Sequence, residues 1–184
     1  LPLLFLSGAG LPAWIWDEVR SGITTPSVVG PRPATGSGTV TEYARAALDA
    51  APKGSFGVVA HSAGGVVAAE LARLAAGRVA AVLGVAAVIP AETVQRLVAD
   101  LEPEPVKYFT TRTTGHEAMR AVPLKKYVVT TDDAELTVGM QRGYAGQLGA
   151  SGVTEIASAH LPMITNSAEV IAAAQDLAES HPTV

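Results

Sequence analysis

Short apolar segments bounded by Gly or Pro alternate along the chain with longer segments in which apolar residues recur at helical spacing. A strand that is apolar on both faces must be covered on both sides, so this alternation is typical of βαβ units around a buried parallel sheet. The sequence therefore predicts the α/β class, with helices on both faces of a mostly parallel sheet of about six strands. The predicted strands are Leu3–Leu6, Ser27–Val29, Phe56–Ala60, Val79–Ala86, Lys126–Thr130 and Val153–Ile156.

Two of the predicted helices begin at a recognisable capping pattern. Thr39 with Glu42, and Asn166 with Glu169, are spaced so that the first side chain can accept a backbone N–H while the glutamate reaches back to the cap. We expect a capping box at both positions. The predicted helices are Trp14–Ser21, Val40–Ala50, Ala63–Ala75, Val138–Leu148 and Ala168–Glu179.

The chain length suits one domain. It has 184 residues, and ~100 to 200 residues per domain is usual. We expect a single domain over residues 1–184. Between Pro90 and Pro123 the alternation is interrupted, and Glu-Pro-Glu-Pro at 102–105 ends one helix there. Residues 90–123 are therefore predicted to be a short, cap-like insertion over one end of the sheet.

Composition excludes several classes of protein. A hydrophobic fraction of 48% with 16% charged residues, against roughly 25% charged in average proteins, argues against a disordered chain. The net charge of -4, without a basic run, argues against a nucleic-acid partner. The longest apolar run, Val79–Ile89, is shorter than the ~20 residues of a membrane-spanning helix. We therefore expect neither nucleic acid nor membrane as a partner.

Metal and disulfide chemistry are also disfavoured. The sequence has 0 Cys, which removes disulfides and thiolate zinc sites and is compatible with the cytoplasm, the expected location. His116 and His181 have no second ligand at metal spacing, so we expect them at the surface and expect no metal site.

The junction between the third predicted strand and the helix after it is the most informative stretch of the sequence. It reads Val58-Val59-Ala60-His61-Ser62-Ala63-Gly64-Gly65, with Ser62 at the turn. A turn this sharp holds a nucleophile in a strained backbone conformation and requires small neighbours two residues away on either side, here Ala60 and Gly64. The N–H of Ala63, at the helix start, could then stabilise an oxyanion.

A serine nucleophile needs a base, and the base needs an orienting carboxylate. Asp132 and Asp133 directly follow the fifth predicted strand, and His160 follows the sixth. Because the carboxyl ends of parallel strands share one edge of the sheet, these residues can meet Ser62 there. Either aspartate is a candidate acid. The order Ser, Asp, His is that of α/β-hydrolases.

Several motifs together carry a resemblance to a known family. They are Ser7-Gly8-Ala9, Ala13-Trp14-Ile15-Trp16, His61-Ser62-Ala63-Gly64-Gly65 and Tyr127-Val128-Val129-Thr130-Thr131-Asp132-Asp133, with Gln141-Arg142 in phase. The chain resembles the α/β-hydrolase family, and within it the branch of small plant esterases and hydroxynitrile lyases, with a much reduced cap. The motif phase favours the second aspartate as the acid.

The resemblance implies a serine hydrolase that acts on a carboxylic ester, lactone or thioester without a cofactor, with a small ester-like molecule as its partner. Ser62 would be the nucleophile, His160 the general base and later acid, and Asp133 the residue that orients the imidazole. Ala9 and Ala63 would supply the two N–H groups of the oxyanion hole.

The sequence also departs from the family pattern. Gly8 is similar to the esterases, whereas the lyases carry Thr there, and the Lys that the lyases place shortly after the histidine is missing after His160. Ser7 replaces a family His, and Ala60 replaces the commoner Gly. The shorter insertion at residues 90–123 should leave Ser62 more open, with fewer walls to select a substrate.

Alternative interpretations exist for the function and for single residues. Gly8-Ala9-Gly10-Leu11-Pro12-Ala13 matches a dinucleotide fingerprint, for which Arg32 could receive the 2′-phosphate of NADP. The fold also hosts lyases, cyclases and ligand-binding proteins that use the same pocket. We interpret His61 as a packing residue bonded to backbone, and Trp14 and Trp16 as core anchors, with Trp14 able to border the pocket.

Overall fold

Six parallel strands form one sheet in the computed structural model, which describes residues 1–32, 38–87 and 115–180. The strands pair in the order β2-β1-β3-β4-β5-β6, and every neighbouring pair is parallel. The predicted α/β class is confirmed, and the predicted strand bounds are met to within two residues. The strands are β1 (Leu3–Leu6), β2 (Ser27–Val29), β3 (Phe56–His61), β4 (Val79–Val85), β5 (Leu124–Thr130) and β6 (Gly152–Ile156).

Helices connect the strands of this sheet. The first connection begins with a 3₁₀ turn, Ala13–Trp16, where the sequence predicted continuous helix from Trp14. Trp16 is buried as expected, but Trp14 is 62% exposed, so its prediction as a core anchor was wrong. The helices are α1 (Asp17–Gly22), α2 (Val40–Ala50), α3 (Gly64–Leu74), α4 (His116–Ala121), α5 (Val138–Leu148), α6 (Pro162–Thr165) and α7 (Ser167–Glu179).

Both faces of the sheet are covered. Alternate residues of β1 enter different cores because side chains along a strand point to opposite faces: Leu4 and Leu6 pack with α2 and α3, while Leu3 and Phe5 pack with α1 and α7. Each fully buried large apolar side chain stabilises the fold by about 1.5–3 kcal/mol. The helices thus form two layers around a sheet whose central strands β1, β3 and β4 are buried.

The predicted insertion is only partly described. Residues 88–114 lie outside the described residues, so the cap-like role of residues 90–123 stays a prediction. Its last part forms α4, which packs on α3 through buried Met119. A Cβ at Gly115 would lie 2.2 Å from the carbonyl oxygen of Ala69, so the chain meets the backbone of α3 directly. This part belongs to the helical layer on one face and not to the end of the sheet.

The strand order creates a switch point. From β1 the chain passes to β2 on one side, and β3 then pairs with the other side of β1. In open α/β sheets, ligands bind at the carboxyl ends of the strands where such a reversal occurs. The residues that follow β1 and β3 therefore lie where such folds commonly bind ligands.

One of the two predicted capping boxes is present. The Thr39 hydroxyl accepts the N–H of Glu42, and the Glu42 carboxylate accepts the N–H of Thr39. At Asn166 the prediction was wrong: its side chain makes no cap bond and donates to the Glu169 carboxylate at 3.3 Å. The N–H of Asn166 already closes the preceding turn on Pro162, which gives this residue a different backbone geometry.

Thr39→Ala should lower the free energy of unfolding by about 1 kcal/mol, since it removes the acceptor for an otherwise unpaired N–H at the start of α2. Chemical denaturation of the purified protein measures this. Asn166→Ala is the matched control, with an expected change within about 0.5 kcal/mol, and Thr39→Ser should retain most of the stability. Equal losses at both helix starts would contradict the assignment.

Candidate active site

Ser62 lies at the turn between β3 and α3 in a strained backbone conformation. Its φ is +50°, a region that a residue with a side chain adopts at a cost of about 1–3 kcal/mol. Two hydrogen bonds hold the turn: the Ser62 N–H donates to the carbonyl of Val85 at 3.2 Å, and the Ser62 carbonyl accepts the N–H of Gly65 at 3.0 Å. The strain expected from the short junction is present.

The small residues around Ser62 have a steric reason. A Cβ on Gly64 would lie 2.7 Å from the carbonyl oxygen of Leu6 and 3.1 Å from that of Ser7, so the start of α3 approaches the end of β1 backbone to backbone. Ala60 is completely buried within the sheet. The backbone contact thus gives a steric reason for the glycine at position 64.

The structure brings together Ser62, His160 and Asp133. The Ser62 Oγ lies 3.0 Å from His160 Nε2, and His160 Nδ1 lies 2.8 Å from Asp133 Oδ2. Because a carboxylate only accepts, Nδ1 carries the proton that it donates to Asp133, and Nε2 is left with a lone pair that can accept the Ser62 hydroxyl proton. This tautomer is the one that a general base beside a serine requires.

The Asp133 carboxylate is buried and accepts several hydrogen bonds. It accepts the N–H groups of Glu135 and Leu136 at 2.8 and 2.9 Å, the Thr130 hydroxyl at 2.8 Å, and His160. Burial raises the pKa of Asp133, but the hydrogen bonds from His160, Leu136 and Thr130 outweigh it, so the pKa lies below its ordinary value. Asp133 therefore remains ionised beside the imidazole.

Asp132, the alternative acid, occupies a different position. It is exposed, and its N–H donates to the carbonyl of Ser158 at 3.1 Å. Its backbone thus ties the turn after β5 to the loop after β6. Of the two aspartates, Asp133 is the one whose carboxylate contacts the imidazole.

Gln141 organises the turn that carries Asp133. Its buried amide donates to the carbonyls of Thr130 at 2.9 Å and Leu136 at 2.7 Å, and its Oε1 accepts the N–H of Thr130 at 2.9 Å. Sequence reasoning noted Gln141 only as a residue in phase with the resemblance. A side-chain bond of this kind, from a helix back to the strand and turn before it, has no recognisable spacing pattern in the sequence.

The loop after β1 lies directly against Ser62. A Cβ on Gly8 would be 2.9 Å from both Ser62 Cβ and His61 Nδ1, so a side chain at position 8 would displace the loop from the serine. Trp16 anchors the loop by donating from Nε1 to the Ser7 hydroxyl at 3.1 Å. Ala9 is half-buried and directly follows Gly8, the residue of this loop that contacts Ser62.

Ala63 lies on the other side of Ser62. It is buried at 4% exposure and caps the start of α3. Ala9 and Ala63, predicted to supply the two N–H groups of an oxyanion hole, come directly after Gly8 and Ser62, which approach each other closely. Their role stays a prediction.

The same loop does not favour the dinucleotide alternative. Gly8 is closed against Ser62 and His61, whereas a pyrophosphate cradle requires open backbone at a helix N-terminus. Arg32, the candidate for a 2′-phosphate, donates to the carbonyl of Leu11 on this loop.

Two expectations from the sequence concern metal sites and membrane helices. Within residues 1–32, 38–87 and 115–180, no group of three or more metal-ligating side chains comes together. His116 is exposed, as expected, and His181 lies outside the described residues. The helices in this described part include none long and apolar enough to cross a bilayer.

Comparison with solved structures identifies the fold. Neither a protein-family model nor a curated protein sequence matches the chain. An extracellular α/β-hydrolase from a Paenibacillus species superposes with a TM-score of 0.80 at 14% identity, over 96% of this chain and 98% of the other. Polyneuridine aldehyde esterase matches with a TM-score of 0.77 at 15% identity, over 96% and 98% of the two chains.

A third solved structure, a pyrethroid hydrolase from Sphingobium faniae, has a TM-score of 0.71 at 16% identity and covers 97% of each chain. These similarities extend along nearly the whole length of each protein. The chain has the α/β-hydrolase fold.

Proposed function

We propose that this protein is a serine hydrolase that cleaves a carboxylic ester, lactone or thioester through an acyl-enzyme. The observation that carries the proposal is the hydrogen-bonded chain from Ser62 through His160 to Asp133, at a strained turn on the carboxyl edge of the sheet. Solved structures with the same fold include an esterase and hydrolases, which supports this class of reaction.

The first half of the reaction transfers the acyl group to the enzyme. The Ser62 oxygen bonds to the carbonyl carbon while its proton passes to His160 Nε2. The tetrahedral oxyanion accepts N–H bonds from Ala9 and Ala63. Collapse breaks the bond to the leaving oxygen or sulfur, which takes the proton from His160 and departs as an alcohol or thiol.

The second half uses water and regenerates the enzyme. His160 removes a proton from a water molecule while the oxygen of that water bonds to the acyl carbon. His160 then gives this proton to the Ser62 oxygen as the carboxylic acid leaves. Asp133 keeps the imidazole in the required tautomer and stabilises the imidazolium in both halves. Each oxyanion donor contributes about 3–4 kcal/mol to lowering the barrier.

All groups in this scheme come from the chain, the substrate and water, so the proposed reaction uses no cofactor. Its partner is a small ester-like molecule. The cytoplasmic location expected from the lack of cysteine stays a prediction, and one of the structurally similar proteins is described as extracellular.

Ser62→Ala should abolish labelling by a fluorophosphonate and reduce release of p-nitrophenol from short-chain esters by about 10⁶-fold, because it removes the hydroxyl that lies 3.0 Å from His160 Nε2. The fold should be retained by circular dichroism. Undiminished ester hydrolysis by the variant would refute Ser62 as the nucleophile. If the folded wild-type protein neither labels nor turns over esters, a non-hydrolytic use of the pocket takes precedence.

Asp133→Asn should lower kcat for ester hydrolysis by about 10⁴-fold, because an amide in place of the carboxylate permits the wrong imidazole tautomer. Asp132→Asn is the matched control, since its carboxylate is at the surface and the variant differs by the same atom change one position earlier. We expect it to change kcat by less than about threefold. Comparable losses in the two variants would contradict Asp133 as the orienting acid.

A further inference from the structure

A second histidine lies beneath the proposed base. His61, the last residue of β3, is completely buried, and its ring centroid lies 4.9 Å from that of His160. Its Nε2 is 2.8 Å from the backbone carbonyl oxygen of His160. Because a carbonyl can only accept, Nε2 of His61 carries the proton and donates it. The residue before the nucleophile is thus bonded to the backbone of the base.

The surroundings hold His61 in this neutral form. Burial, followed by the charge of nearby His160, lowers the pKa of His61 to about 3. Its Nδ1 faces Gly8, where there is no room for even a Cβ, and it has no hydrogen-bond partner among the described residues. The edge of the ring also meets Trp16, with 6.4 Å between the ring centroids. The ring is therefore fixed in orientation and protonation.

The loop that carries His160 is otherwise attached through few backbone bonds. The carbonyl of Ser158 accepts the N–H of Asp132, which fixes the loop on the β5 side. The bond from His61 fixes it on the β3 side, where Ser62 lies. A bond donated by the residue next to Ser62 thus attaches the loop whose His160 Nε2 lies 3.0 Å from Ser62 Oγ.

We propose that His61 is a positioning residue, which acts through its Nε2–H bond to the His160 carbonyl to hold the base at hydrogen-bond distance from Ser62. The inference rests on the proposed function, because it assigns His61 a part in activating the same serine. His61 does not touch the reacting atoms. Its single donated bond couples the strand that carries the nucleophile to the loop that carries the base.

The test compares variants that differ in the donor. His61→Leu removes it, and His61→Gln places an amide N–H the same number of bonds from Cβ as Nε2. The second-order rate of fluorophosphonate labelling at Ser62 should fall about 10- to 100-fold in His61→Leu, and His61→Gln should recover most of that loss. His61→Asn places its N–H one bond closer to Cβ, so it should not recover the labelling rate. If His61→Leu does not fold, His61→Asn serves in its place.

A second readout does not depend on turnover. The proton that His160 Nδ1 donates to Asp133 should give a low-field NMR resonance, assigned by its loss in Asp133→Asn. We expect this resonance to broaden or shift in His61→Leu and to persist in His61→Gln. Thermal unfolding of each variant, followed by circular dichroism, separates these effects from a general loss of stability.

The possible outcomes are distinct. A folded His61→Leu, or His61→Asn in its place, with the wild-type labelling rate and an unchanged resonance would overturn the proposal, as would a loss that His61→Gln does not recover. If wild-type protein is not labelled at all, the proposed function fails, and the resonance alone decides whether His61 positions His160.

Discussion

The close approach of α3 to β1 is the constraint on which the site depends. At Gly64 the helix backbone comes so near to the carbonyls of Leu6 and Ser7 that no Cβ fits. With the helix start held there, the chain has only Ser62 and Ala63 with which to leave β3, and Ser62 must take a positive φ. The strain is sustained because the packing of α3 on the sheet over-determines it. The serine hydroxyl is consequently presented at the edge of the sheet.

Parallel pairing supplies the partners of that serine. The strands β3, β5 and β6 all end at the same edge, so residues separated by 98 and 27 positions in the chain meet within hydrogen-bond distance. A buried carboxylate is costly unless its oxygens are satisfied. Here the turn after β5 folds back so that two backbone N–H groups and a hydroxyl reach Asp133. The turn after β5 thus stabilises the charge of Asp133, and this charge accepts the hydrogen bond from His160.

The predictable parts of this protein are those with local causes. The bounds of the strands could be predicted from apolar runs, and the capping box at Thr39 from its spacing to Glu42. Each of these features depends on residues that are neighbours in the chain. The capping box predicted at Asn166 was wrong, since the turn before this residue changes its backbone geometry. The burial predicted for Trp14 was also wrong, because this residue lies in a 3₁₀ turn with its side chain at the surface. The bonds of Gln141 close the turn between β5 and the helix that follows it, and they depend on how that turn folds back, which residue spacing alone does not show.

The two histidines illustrate how environment assigns different chemistry to one residue type. His160 has a side chain 20% exposed, donates from Nδ1 to a carboxylate, and presents the Nε2 lone pair to Ser62. His61 is fully buried, donates from Nε2 to a carbonyl, and has a lowered pKa. With the rings only 4.9 Å apart, two imidazolium ions would repel each other. In the proposed reaction, the lowered pKa of His61 makes it a poor proton acceptor, so the proton from Ser62 would pass to His160, whose imidazolium Asp133 would stabilise.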